Sequence, residues 1–173
     1  MRTFSTATAQ QLANALSALG IKFITGGESG NGSLHHRPQI LIAALAQSEE
    51  SRLRLSLIPL FLEHPEFAAH VRTAAQNLDP AARLILQCYY TAAVWLQRQY
   101  RPRLDVLIGK RPSLPNYFTR ELNLKWVTAA DPETNLRLLA ERHQILSGAQ
   151  INWLGTYQHA VRVWIKGLEL QRA

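Results

Sequence analysis

Apolar residues recur every three or four positions along most of the chain, the spacing expected for helices that bury one face. The first such stripe covers residues 12–19 and ends at Gly20, a residue suited to the left-handed conformation that closes many helices. The one candidate for a strand is short, at residues 21–24. The pattern therefore predicts an all-α protein.

Proline and aspartate mark the starts of most of the later helices. Proline is tolerated in the first turn because that turn leaves its N–H groups unpaired, and aspartate can cap those amides. Helices are expected at residues 12–19, 37–47, 49–64, 66–78, 81–100, 132–146 and 151–170, with a short one at 117–122. Pro59 lies inside one of these stretches and predicts a kink. About seven or eight helices, as stacked helix hairpins or an irregular bundle, are expected in a single helical domain at residues 1–173.

Glycine and proline interrupt this helical pattern in two places. Four glycines between positions 26 and 32 predict a flexible loop at residues 25–37. Residues 98–126 contain Gly109 and three prolines, and they predict a segment that is mostly loop, with a short element at residues 104–108.

Several classes of protein and site are excluded by composition. No run of about 18 apolar residues occurs, so the sequence excludes a membrane-spanning helix. Cys88 is the only cysteine, which excludes an intramolecular disulfide and favours a reducing cytoplasm as the location. The six histidines are not spaced for a zinc site, and no metal or cofactor is indicated.

The net charge of +7 is concentrated in one stretch of the chain. Residues 98–126 contain seven Lys or Arg against Asp105 and Glu121, a surplus of five. Four aromatic residues are interleaved with these cations: Tyr100, Tyr117, Phe118 and Trp126. Cations neutralise phosphates and aromatic faces stack on unpaired bases, so this basic segment predicts a surface for RNA or DNA. The residues expected to bind nucleic acid are Arg98, Arg101, Arg103, Lys110, Arg111, Tyr117, Arg120 and Lys125.

Two other interpretations of the basic segment stay open at this point. In the first, its aromatic residues anchor a solvated loop to the core. In the second, its charge faces an acidic protein partner.

One pair of residues is similar to a known catalytic motif. Five residues separate Arg137 from His143, and an arginine placed this way ahead of a histidine resembles the signature of the HEPN ribonuclease family. The resemblance implies RNA cleavage in which the arginine steadies the phosphate and the histidine moves protons. Leu138 departs from the pattern, because a polar residue usually follows the arginine in that family. Without catalysis, both residues are expected to be exposed on their helix, with Glu133 and Glu141 as ion-pair partners.

The preferred interpretation is a non-enzymatic helical binding or scaffold protein that contacts RNA or DNA within a larger complex. A HEPN-like ribonuclease or toxin is one alternative, and a protein-binding adaptor or antitoxin is another. Small helical subunits of RNA-guided effector complexes are similar in fold class and charge. The aromatic residues on the last helix, Trp153, Tyr157 and Trp164, are expected to pack into the core.

Overall fold

The structure is a computed structural model, and it describes residues 7–21, 33–124 and 131–173. All regular secondary structure in these ranges is helical, which confirms the all-α prediction. The α-helices are α1 (Ala9–Ala18), α2 (Pro38–Gln47), α3 (Ser51–Leu55), α4 (Leu57–Glu63), α5 (Ala68–Gln76), α6 (Pro80–Gln99), α7 (Arg101–Ile108), α8 (Pro132–Ser147) and α9 (Trp153–Arg172). Two short 3-10 helices lie at Ser33–His36 and Pro65–Phe67.

Some sequence predictions fall on residues outside the described ranges. These are the candidate strand beyond Ile21, the part of the glycine-rich loop at residues 25–32, Lys125 and Trp126. The last part of that predicted loop includes the 3-10 helix at Ser33–His36.

Helix α6 is the centre of the fold. Every residue from Cys88 to Gln97 is buried, so this helix is enclosed on all sides rather than along one stripe. It contacts α2, α4, α5, α7, α8 and α9. The helices therefore form an irregular bundle around α6, one of the two arrangements expected from the sequence.

The helix boundaries follow the local signals in the sequence. The Asp79 side chain accepts a hydrogen bond of 2.9 Å from the Ala82 amide at the start of α6. The Asp131 side chain caps α8 in the same way, through the Thr134 amide at 3.2 Å. Gly20 has a φ of 80° just after α1, a conformation that glycine adopts without strain. Local chemistry therefore sets where these helices begin and end.

The kink predicted at Pro59 is present as a break between α3 and α4. Pro59 has no N–H to donate to the carbonyl of the preceding turn, so the regular bonding pattern is interrupted there. The break lies at Ser56, a buried residue whose Oγ donates a 2.5 Å hydrogen bond to the Leu53 carbonyl.

Helix α9 packs its aromatic residues into the core, as expected. Tyr157 and Trp164 are buried, and Trp153 is partly buried against the same cluster. The Trp164 indole N–H donates a 3.0 Å hydrogen bond to Glu63 Oε2 at the end of α4. Burial raises the pKa of Glu63, although this hydrogen bond opposes the shift. The stripe is thus part of the core, with one polar contact to α4.

Cys88 is a buried side chain of α6. Burial raises the pKa of its thiol to about 12, because the apolar surroundings disfavour the thiolate. The thiol therefore stays protonated and acts as a small hydrophobic residue.

Candidate nucleic-acid interface

The basic segment consists of a helix followed by an extended stretch. The short element expected at residues 104–108 is the second half of α7, which begins at Arg101. Residues 109–118 have no regular secondary structure, and residues 119–123 form turns. In place of the helix expected at 117–122 there is one helical turn, closed by the Leu122 amide bonded to the Phe118 carbonyl at 2.9 Å. Residues 109–124 are called the strap below.

Hydrogen bonds fix the path of the strap along α6. The Gln97 side chain donates to the Pro112 carbonyl at 3.0 Å and accepts from the Leu114 amide at 2.8 Å. Further back along α6, the Tyr90 hydroxyl donates to the Pro115 carbonyl at 2.6 Å. The strap therefore runs antiparallel to α6, from the C-terminal end of the helix towards its N-terminal half.

The aromatic residues of the strap are used to hold it in place. The Tyr117 ring stacks on Tyr90 at 5.6 Å with an interplanar angle of 12°. The Arg72 guanidinium lies 4.8 Å from the centre of the same ring. Phe118 is buried and packs edge-on against Tyr90. These contacts match the interpretation of an anchored segment, and they leave little free ring surface for stacking on bases.

The end of the strap is attached to α8. The Arg142 Nε–H donates to the Leu122 carbonyl at 2.8 Å. Asn123, in the adjacent turn, has a φ of 52°, a left-handed conformation that asparagine tolerates better than most residues. The strap is thus held at both ends and in the middle.

Replacing Tyr90 with phenylalanine tests the middle anchor. We expect the free energy of unfolding to fall by about 1 kcal/mol, because the ring packing stays while the Pro115 carbonyl loses its donor. Urea denaturation measures the change. Tyr100→Phe is the matched control, since the Tyr100 hydroxyl bonds none of the described residues. Equal effects in both variants would show that the Tyr90 hydroxyl does not anchor the strap.

The fold brings several predicted cations together where α6, α7 and the strap meet. Arg101 donates to the Arg111 carbonyl at 2.8 Å and to Ser113 Oγ at 2.7 Å. Arg98 lies on Trp95, with its guanidinium 4.4 Å from the ring centre. Lys110, next to Arg111, is exposed, as is Arg111 itself. Arg98, Arg101, Lys110 and Arg111 are called the basic end below.

Arg103 belongs to a different surface. It forms an ion pair with Glu169 on α9, and Arg172 of the same helix donates a 2.5 Å hydrogen bond to the Val106 carbonyl. The exposed Glu169 carboxylate offsets part of the Arg103 charge, so this residue contributes less to the binding of an anion than an unpaired arginine does.

Arg120 lies at the opposite end of the strap, where the fold adds two cations from elsewhere. Arg72 of α5 and Arg83 of α6 line one pocket together with Phe118 and Glu121. No sequence signal assigned Arg72 or Arg83 to this surface, because they are far along the chain from the basic segment. Arg83 and Gln97, which lies beside the basic end, are fourteen positions apart on α6, or about 21 Å along the helix axis. The predicted site is therefore a track with cations at both ends.

The two residues of the HEPN-like motif lie in different environments. His143 is 1% exposed, is hydrogen-bonded to the Tyr157 hydroxyl at 2.6 Å, and stacks on Trp153 at 3.6 Å. Burial lowers its pKa to about 4, so it is neutral near pH 7. Arg137 is exposed and lies 3.8 Å from Glu133.

The expectation that both residues are exposed is correct for Arg137 and wrong for His143. Apolar residues three and four positions before His143 turn its side chain towards the core. Arg137 and His143 are also six positions apart, which places them about 120° apart around the helix axis. The two side chains therefore point in different directions.

The described residues contain no group of three or more His, Cys, Asp and Glu side chains placed to hold a metal. None of the helices in these ranges is both long and apolar enough to cross a bilayer.

The chain matches no model of a known protein family, no curated protein and no solved structure.

Proposed function

We propose that the protein binds RNA or DNA along the strap, through the phosphate backbone, as a non-enzymatic subunit of a larger assembly. The observation that carries this proposal is the exposure of Lys110 and Arg111 on a strap that is fixed to the central helix. Neither cation forms an ion pair with another of the described residues. Both cations are exposed to a partner from outside, although Arg111 also interacts electrostatically with the partly buried Glu63 carboxyl.

The charge along the track favours a polyanion. The basic end contributes four cations, and Arg72, Arg83 and Arg120 lie at the other end. The carboxylates that oppose this charge are Asp105, 3.9 Å from Arg101, Glu63, which interacts with Arg111, and Glu121 in the pocket. Neutralising several phosphates at once releases condensed counterions, which supplies most of the free energy of non-specific binding.

The anchoring of the strap supports contact with phosphates rather than with bases. Tyr117 and Phe118 pack against Tyr90, so the aromatic rings of the strap are already engaged. A segment that is ordered before binding also loses less conformational entropy when a ligand binds. We therefore expect weak sequence preference.

A double charge reversal at the basic end tests this function. Lys110→Glu with Arg111→Glu is expected to weaken binding of a short fluorescent oligonucleotide at least about tenfold at low salt. Loss of two phosphate contacts also makes the negative slope of log K against log salt shallower by about 2. Fluorescence anisotropy at several salt concentrations measures both quantities.

The double variant Arg137→Glu with Arg162→Glu is the matched control. It changes the net charge by the same amount through exposed residues of α8 and α9. An equal loss of affinity in both variants would show that only net charge matters, and unchanged binding in the first would remove the basic end from the site. A co-purifying protein that survives nuclease treatment would instead support the adaptor alternative.

The proposed setting is the cytoplasm. A single buried thiol with no partner cysteine is typical of proteins in reducing compartments.

A further inference from the structure

Two arginines from different helices face one concave pocket at the far end of the strap. Arg72 from α5 and Arg83 from α6 line a pocket of about 420 Å³, together with Gln76, Phe118 and Glu121. This cavity is called the arginine pocket. It is separate from the basic end, which lies about 21 Å away along the axis of α6.

The two guanidinium groups are held in place and keep donors free. Arg83 donates Nε–H to the Ala75 carbonyl at 3.0 Å and an Nη2–H to the Leu78 carbonyl at 2.8 Å. A guanidinium has five N–H donors, so about three stay available on Arg83. Arg72 is positioned over the Tyr117 ring, and none of its donors bonds an acceptor among the described residues.

The pocket carries more positive than negative charge. Glu121 is the only carboxylate among the residues that line it. Glu121 is exposed and forms no ion pair with either arginine in the described part of the chain. An anionic ligand can therefore reach both guanidinium groups, while Glu121 opposes its charge.

We propose that the arginine pocket binds a phosphate monoester, carried either by a free mononucleotide or by the end of a nucleic-acid strand. The planar fork of arginine donates two parallel hydrogen bonds to phosphate oxygens, and two such groups match the two charges of a monoester. The volume is larger than a phosphate needs, so the rest of the ligand fits beside Gln76 and Phe118. Binding of a mononucleotide does not depend on the proposed function, whereas binding of a strand end rests on it.

Calorimetric titration with AMP and with adenosine tests the pocket. AMP is expected to bind and adenosine to show no binding, because only AMP carries the phosphate. Arg72→Gln is expected to weaken AMP binding about tenfold through loss of a charge-assisted contact. Glu121→Gln is expected to strengthen it several-fold by removing the opposing charge. Binding of AMP should also weaken below about pH 6, where the monoester loses one charge.

The control for these variants is Arg137→Gln, an exposed arginine on α8 outside the pocket. If Arg72→Gln disturbs the Tyr117 contact and lowers stability, Glu121→Gln still tests the site, because it alters only an exposed side chain. Equal heats for AMP and adenosine, or AMP affinity unchanged in both variants, would overturn the proposal.

Two further titrations separate the sources of the phosphate. Oligonucleotides with a 5′-phosphate or a 5′-hydroxyl show whether a strand end uses the pocket. A preference for the phosphorylated strand that Arg72→Gln abolishes supports the strand end, and AMP binding without that preference supports a free nucleotide. AMP affinity unchanged in Lys110→Glu with Arg111→Glu supports a site separate from the basic end, even if oligonucleotide binding by the basic end fails.

Discussion

Replacing His143 with alanine is expected to lower the free energy of unfolding by about 4 kcal/mol. The side chain is 1% exposed and stacks on Trp153 at 3.6 Å, so its removal leaves a cavity between α8 and α9. The Tyr157 hydroxyl, 2.6 Å from the ring, also loses its hydrogen-bond partner in a buried place. Both losses add to the cost, because neither water nor a neighbouring side chain can replace the ring easily.

Urea denaturation with two companion variants separates the contributions. Gln144→Ala changes the next, exposed residue of α8 and is expected to cost less than about 0.5 kcal/mol. Tyr157→Phe keeps the ring and removes the hydroxyl, and it is expected to cost about 1 to 2 kcal/mol. A His143→Ala loss no greater than that of Gln144→Ala would mean that His143 is not a core residue.

The same histidine makes the fold sensitive to acid. Its pKa is about 4 in the folded protein and about 6.5 when the chain is unfolded. Between these values the unfolded chain takes up a proton that the folded protein does not, so stability falls as the pH is lowered from 6.5 to 4. The full difference corresponds to about 3 kcal/mol.

Comparison of wild type and His143→Ala at several pH values isolates this contribution from that of the carboxylates. The destabilisation caused by the substitution should be largest above pH 6.5 and should shrink by about 3 kcal/mol on approaching pH 4. A destabilisation that is constant over this range would contradict a buried neutral His143.

Replacing Gln97 with alanine is expected to cost about 3 kcal/mol and to release the strap from α6. Gln97 is 2% exposed and bonds two strap residues, Pro112 and Leu114. Without it, the buried Leu114 amide has no acceptor and a cavity forms beside it. Hydrogen exchange at the Leu114 amide should accelerate more than exchange in the core helices, because the strap opens locally.

Gln97→Met keeps the volume and removes both hydrogen bonds, so it separates packing from anchoring. Gln99→Ala, at an exposed position two residues further along α6, is the control and is expected to be close to neutral. Slow exchange at Leu114 in Gln97→Met would show that the strap stays in place without the Gln97 hydrogen bonds.

The amino-acid sequence was sufficient to predict most of the helices and their ends, although α7 was expected only as a short element and the helix expected at 117–122 is a single turn. Asp79 and Asp131 cap the helices that were expected to begin beside them. The helix expected around Pro59 is interrupted between α3 and α4, because proline has no N–H to donate. Gly148 closes α8 in a left-handed conformation, as glycine does at many helix ends. All of these effects act between residues no more than about four positions apart, so they can be predicted from a short stretch of sequence.

The composition of the candidate site depended on contacts between distant parts of the chain. Charge counting placed Arg103 with its neighbours, but it forms an ion pair with Glu169 from α9. Arg72 and Arg83 join the track only because α5 and α6 pack beside the strap.

The path of the strap and the burial of His143 were likewise decided by packing. The path of the strap depends on the hydrogen bonds of Gln97 and Tyr90. The burial of His143 depends on how α8 packs against α9. Such contacts depend on how the helices pack together in a shared core. A short stretch of sequence does not show which distant surfaces will meet.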